Sequence, residues 1–103
     1  MSTITTHVLD TARGRPAAGV PVRLDVRDGE QWREVGRGTT DDDGRLRTLP
    51  SIEAGTYRLV FDTGARSEFF PEVAIVFVVN DASQHYHVPL LLSPFGYSTY
   101  RGS

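Results

Sequence analysis

His85 and His87 stand two residues apart in the stretch His85-Tyr86-His87-Val88-Pro89-Leu90. Successive side chains of a strand point to opposite faces, so both imidazoles share one face. Tyr86, Val88 and Leu90 then point the other way, into a core. The third histidine, His7, is set among Ile4, Thr6 and Val8 and also points away from the core. Three histidines on outer sheet faces admit three readings. The simplest is solvated surface residues. A second is a metal site, because two His at i and i+2 plus a third from another strand could hold Zn²⁺. The third is acid–base chemistry, because an ordinary imidazole titrates near neutral pH.

Arg45 follows the turn Asp41-Asp42-Asp43-Gly44. It is either a solvated cation or a charge that keeps a nearby histidine neutral, since positive charge disfavours imidazolium. Its guanidinium would also present a fixed fork of donors to a planar carbonyl or carboxylate. The Asp-rich turn does not fit a calcium loop: with Asp41, Asp43 and Gly44 in register, the ligand positions at either end fall on Thr39 and Pro50. No G-x-S-x-G elbow, phosphate loop or dinucleotide fingerprint is present. The tail is a further oddity. The apolar run Leu90-Leu91-Leu92 passes through Ser93-Pro94-Phe95-Gly96 into Tyr97-Ser98-Thr99-Tyr100, and then only Arg101-Gly102-Ser103 remain. A strand there gathers hydroxyls, a guanidinium and the carboxylate of Ser103 in one place, where chain ends usually fray.

Strands must position these residues. Val20, Val22, Leu24 and Val26 alternate with Pro21, Arg23, Asp25 and Arg27, the pattern of a half-buried strand. Tyr57, Leu59 and Phe61 alternate in the same way. The run Val73 to Val79 is apolar on both faces, which predicts a strand covered on both sides. Residues 3–9, 31–39, 85–92 and 96–101 are four more strands, and 45–48 a short eighth. Turn residues punctuate them: Thr11 to Gly19, Asp28-Gly29, Asp41 to Gly44, Pro50 to Gly55 and Thr63 to Pro71. No segment sustains a 3.6-residue period, and Ala65 to Phe69 allows one helical turn at most. Seven or eight short strands at this spacing predict an all-β sandwich.

The 103 residues suit a single domain, 1–103, with one modest core. Eleven basic and thirteen acidic residues are well mixed, so no basic stripe tracks a phosphate backbone and nucleic acid is not an expected partner. The absence of Cys excludes disulfides, a thiol nucleophile and a Cys-based zinc site. The first residues carry neither a basic n-region nor an apolar h-region, and the longest apolar run is too short to span a bilayer. A cytoplasmic protein without a membrane partner is the expectation.

These residues resemble a family. The stretch His85 to Ser93, followed by Gly96-Tyr97-Ser98-Thr99-Tyr100-Arg101-Gly102-Ser103, is closely similar to the 5-hydroxyisourate hydrolases, also called transthyretin-related proteins. So are His7-Val8-Leu9-Asp10, Gly14-Arg15-Pro16-Ala17, Thr40-Asp41, Asp43-Gly44-Arg45 and Phe69-Phe70-Pro71-Glu72. The resemblance covers the chain in order. The hormone carrier transthyretin shares an opening like Val8-Leu9-Asp10, but has Lys and Glu at the places of His7 and Arg45 and a longer, Thr-containing tail. This chain takes the enzyme choice at all three. Its segment between Phe61 and Phe69 is shorter than the family's, which holds a short helix.

The resemblance implies a transthyretin-like β-sandwich of two four-stranded sheets with at most one very short helix. It implies a homotetramer, a dimer of dimers, with sites where dimers meet. It also implies hydrolytic ring opening of 5-hydroxyisourate in urate degradation, without a cofactor or metal. On this reading His7, Arg45 and His87 carry the catalysis. Tyr100, Arg101, Ser103 and His85 bind or orient the substrate, with Ser103 offering its hydroxyl and its carboxylate. The competing reading is a transthyretin-like small-ligand binding protein without catalysis.

Overall fold

The computed structural model describes residues 2–51 and 53–103. Every regular element in it is a strand: β1 Ser2–Asp10, β2 Arg15–Pro16, β3 Pro21–Asp28, β4 Gln31–Thr39, β5 Arg45–Ser51, β6 Gly55–Asp62, β7 Glu72–Val79, β8 Tyr86–His87, β9 Leu90–Ser93 and β10 Gly96–Thr99. Two sheets face each other. One runs β4-β3-β6-β7, all antiparallel. The other is built around β1, with β5 and β2 along one side and β8 and β9, both parallel to β1, along the other; β10 closes it beside β9.

The second sheet therefore has six strands where the sequence predicts four. Pro89 is the main reason. It has no N–H to continue the ladder, so the predicted strand 85–92 divides into β8 and β9. One side-chain and one backbone bond bridge the gap: the Thr6 hydroxyl donates to the Val88 carbonyl at 2.6 Å, and Val88 N–H donates to the Thr5 carbonyl at 2.9 Å. The sixth strand is the two-residue β2, from a stretch that reads as pure loop. No helix forms between Phe61 and Phe69; the amides of Arg66 and Ser67 both donate to Thr63, which makes a single turn.

The core lies between the sheets. Leu24, Leu59, Tyr57 and Phe61 from one sheet meet Ile4, Val8, Leu49 and Leu90 from the other, each essentially inaccessible. Burying one such side chain contributes roughly 1.5–3 kcal/mol. β7 departs from expectation. Val73, Ile75 and Val79 are buried, but Val76 and Val78 are each 56% exposed. Among the described residues β7 is an edge strand, paired only with β6, and its apolar outer face is left open.

A bulge fixes where Arg45 points. Ile4 pairs with Leu49 and Thr6 with Leu46, so Arg47 and Thr48 together oppose Thr5. Leu46 and Leu49 are both buried despite their odd spacing. In a regular strand that buries Leu49, residue 45 would face the core. The bulge shifts the phase and turns Arg45 to the outer face, opposite His7.

Candidate active site

Three strands deliver one cluster to the outer face of the β1 sheet. His7 and Thr5 come from β1, Arg45 from the first position of β5, and His87 from β8, where it lies directly opposite Thr5. His85 precedes β8 and is exposed, while His7, Arg45 and His87 are half-buried. The rings of His85 and His87 are 6.4 Å apart.

The turn before β5 is built to hold Arg45. The Asp41 carboxylate accepts the amides of Asp43, at 2.9 Å, and Arg45, at 3.0 Å. These bonds, the Arg45 amide first, hold its carboxyl below the ordinary range, with Arg47 and Arg45 adding charge. Gly44 closes the turn at φ 77°, and a Cβ there would lie 2.5 Å from the Val8 carbonyl. The Asp-rich turn thus works as an Asx turn. Its Asp43 carbonyl receives His7 Nε2 at 2.8 Å. A carbonyl only accepts, so Nε2 carries the proton and neutral His7 keeps its lone pair on Nδ1.

His87 is held below its ordinary value. Burial is the largest cause, followed by the charge of Arg45 and then by His85 and His7; interaction with the Thr5 backbone opposes them. A neutral imidazole beside a fixed guanidinium is what general-base chemistry near neutral pH requires. Among the described residues no group of three or more His, Asp or Glu side chains is close enough to hold a metal ion.

The tail reaches this cluster through its backbone. Gly102 pairs with His87 and donates its N–H to the His87 carbonyl at 2.8 Å. A Cβ on Gly102 would overlap Cδ2 of the His87 ring. Ser103 follows it and is exposed. Arg101 goes elsewhere within the chain: its guanidinium lies 4.5 Å over the Tyr86 ring and reaches Gln84 Oε1 at 3.2 Å. Tyr100, 58% exposed, borders an apolar cleft of about 240 Å³ with Val76, Val78 and Val88. One chain therefore gathers His7, Arg45, His85, His87 and the Gly102 backbone, and leaves the side chains of Tyr100 and Arg101 toward the sandwich edge. Thr5 and Gly102 escape a reading by residue type, because one is an ordinary strand hydroxyl and the other has no side chain.

The family model that describes the HIUase/transthyretin family matches residues 4–102. The chain belongs to that family. Among curated HIUase/transthyretin relatives, 5-hydroxyisourate hydrolase of Caulobacter vibrioides is 48% identical, with both chains covered in full. The mouse 5-hydroxyisourate hydrolase is 46% identical over 99% of this chain and 96% of its own. The uric acid degradation bifunctional protein TTL of Arabidopsis thaliana is 48% identical, but this chain spans only 37% of its length. Among solved structures, 5-hydroxyisourate hydrolase of Klebsiella pneumoniae superposes with a TM-score of 0.84 at 40% identity, with both chains covered in full. Sea bream transthyretin in complex with thyroxine gives 0.88 at 30% identity, over 96% of this chain and 93% of that one. The fold is common to enzyme and carrier, so the residues of the site must separate them.

Proposed function

We propose that this chain is a 5-hydroxyisourate hydrolase, a cyclic amidohydrolase that opens the substrate ring to 2-oxo-4-hydroxy-4-carboxy-5-ureidoimidazoline in urate degradation. The observation that carries the reading is one outer sheet face holding a neutral-biased His87, Arg45 and a tautomer-fixed His7. The step needs a base for water, a proton donor for the leaving nitrogen and positive charge for the developing oxyanion. His87 takes the proton from the attacking water. His7 takes part in proton transfer to the leaving nitrogen. Arg45 keeps His87 neutral and holds the oxygens that gain charge. Ser103, beside Gly102, and the side chains of Tyr100 and Arg101 complete the substrate pocket in the assembled protein.

The assembly is a homotetramer, a dimer of dimers. The exposed apolar face of β7 and the openness of the histidine face support it. A second dimer laid over the β1 sheet would exclude water from the site. The expected compartment is the cytoplasm; a chain without cysteine has no need of an oxidising one.

The test is direct. 5-Hydroxyisourate is generated in situ from urate, and its ultraviolet decay is followed with and without the protein, and with EDTA. Acceleration that EDTA leaves intact is expected. His7→Ala and His87→Ala should each lower kcat/KM by about 10²–10⁴. Unaccelerated decay together with saturable binding of an aromatic ligand would instead establish a carrier.

A further inference from the structure

One hydroxyl stands between two imidazoles. Thr5 Oγ1 lies 2.7 Å from His85 Nε2 and 2.8 Å from His87 Nδ1. Thr5 is 7% exposed, and the bulge in the β1–β5 pairing is centred on it. A hydroxyl has one proton to give. It cannot donate to both rings, so at least one ring must present an N–H to it. The two histidines therefore cannot choose their tautomers independently.

We propose that Thr5 is a positioning residue that couples His85 and His87, holding His87 as the Nδ1–H tautomer so that its Nε2 lone pair faces the substrate. The proposal deepens the hydrolase reading and rests on it for the catalytic consequence. The direction of the chain follows from the base role. A base needs its lone pair on the substrate side, at Nε2, so the proton on the Thr5 side belongs to His87 Nδ1. Thr5 Oγ1 accepts that proton's hydrogen bond and donates its own to His85 Nε2. His85 then carries its proton on Nδ1. The same tautomer logic fixes a ligand or base histidine wherever a second group binds its other nitrogen.

The arrangement also gives the proton a way out. When His87 Nε2 takes a proton from water, the ring becomes imidazolium. The Nδ1–H bond can then break as a Thr5 O–H bond forms, while the former Thr5 O–H bond breaks and the proton passes to His85 Nε2. His87 is left neutral and the positive charge rests on His85, which is exposed and can release it to solvent. The groups bearing on His87 favour that direction. Arg45 from β5, His7 from β1 and His85 beside it all disfavour a cation on His87, and the uncharged Gly102 backbone covers its ring edge. His85, whose role the residue pattern leaves open, becomes the outer end of the relay.

Thr5→Val keeps the shape of the side chain and removes the hydroxyl, whereas Thr5→Ser keeps the hydroxyl. Thr5→Val should lower kcat at least about tenfold with KM within about twofold, and Thr5→Ser should stay within about threefold of the parent. Imidazole ¹⁵N shifts on the ligand-free protein supply a readout that a packing role would not move. The parent and Thr5→Ser should show His87 protonated at Nδ1 at neutral pH, and Thr5→Val should shift it toward Nε2–H. Retention of the Nδ1–H tautomer in Thr5→Val would overturn the proposal, as would Thr5→Ser behaving like Thr5→Val. Absence of turnover in the parent would remove the hydrolase reading, yet the ¹⁵N measurement would still decide the role of Thr5.

Discussion

At the residue scale, the proposed mechanism depends on keeping an imidazole uncharged. Burial does most of this at His87, and Arg45 adds to it. A histidine whose value is lowered on folding binds fewer protons in the native state than in the unfolded one. Its contribution to stability is thus complete above about 6.5, the ordinary value, and is lost as pH falls through the folded value. In the proposed mechanism, activity follows the same group. The acidic limb of kcat/KM against pH should have its midpoint below about 6.5. Arg45→Gln should raise that midpoint, because the repelling charge is gone, while burial still keeps it under the ordinary value. Arg45→Lys should move it much less. A pH–rate series on the three proteins checks this, and a limb that does not move in Arg45→Gln would remove Arg45 from the control of His87.

At the element scale, short backbone devices decide what the side chains can do. The bulge opposite Thr5 rotates Arg45 outward, the Asp41 turn holds its amide, and the tail docks on β8 through Gly102. Gly102→Ala tests the last of these. The added methyl would overlap the His87 ring, so either the ring or the tail must move. A misplacement of about 1 Å can cost roughly 10²-fold in rate. The expected outcome is a kcat/KM lowered by about that factor with the thermal midpoint within about 3 °C of the parent, since Gly102 lies outside the core. Thermal melts and the decay assay measure both quantities.

At the scale of the whole molecule, a single chain leaves apolar surface uncovered. Val76 and Val78 are exposed on an edge strand, and Phe69, Phe95, Tyr97 and Tyr100 add exposed aromatic surface. Unprotected edges with apolar faces are where chains associate. Val76→Glu should shift the protein toward smaller species in sedimentation and weaken activity in parallel. Dissociation without loss of specific activity would show that one chain suffices. The fold itself should survive, because Val76 points away from the core that Leu24, Leu59 and Phe61 build.

Much of this was legible in the chain itself. Period-2 alternation placed Val22, Leu24 and Val26 in the core and His7 and His87 on outer faces, because a strand's pleat leaves no other choice. Other features needed the third dimension. Apolar residues on both sides of β7 read as double cover, yet the strand lies at an edge, since a run of valines carries no record of how many neighbours it has. The orientation of Arg45 depends on a bulge whose cause is register against β1, not composition. Thr5 meets His85 and His87 across some eighty residues of sequence. By itself the sequence determined which side chains could do chemistry and which face His7 and His87 would take, since both follow from residue type and local geometry. Only the tertiary structure decided that one hydroxyl would be shared by two imidazoles and that a glycine backbone would lie on one ring. Such contacts arise where separate strands pair, and pairing is a property of the folded whole.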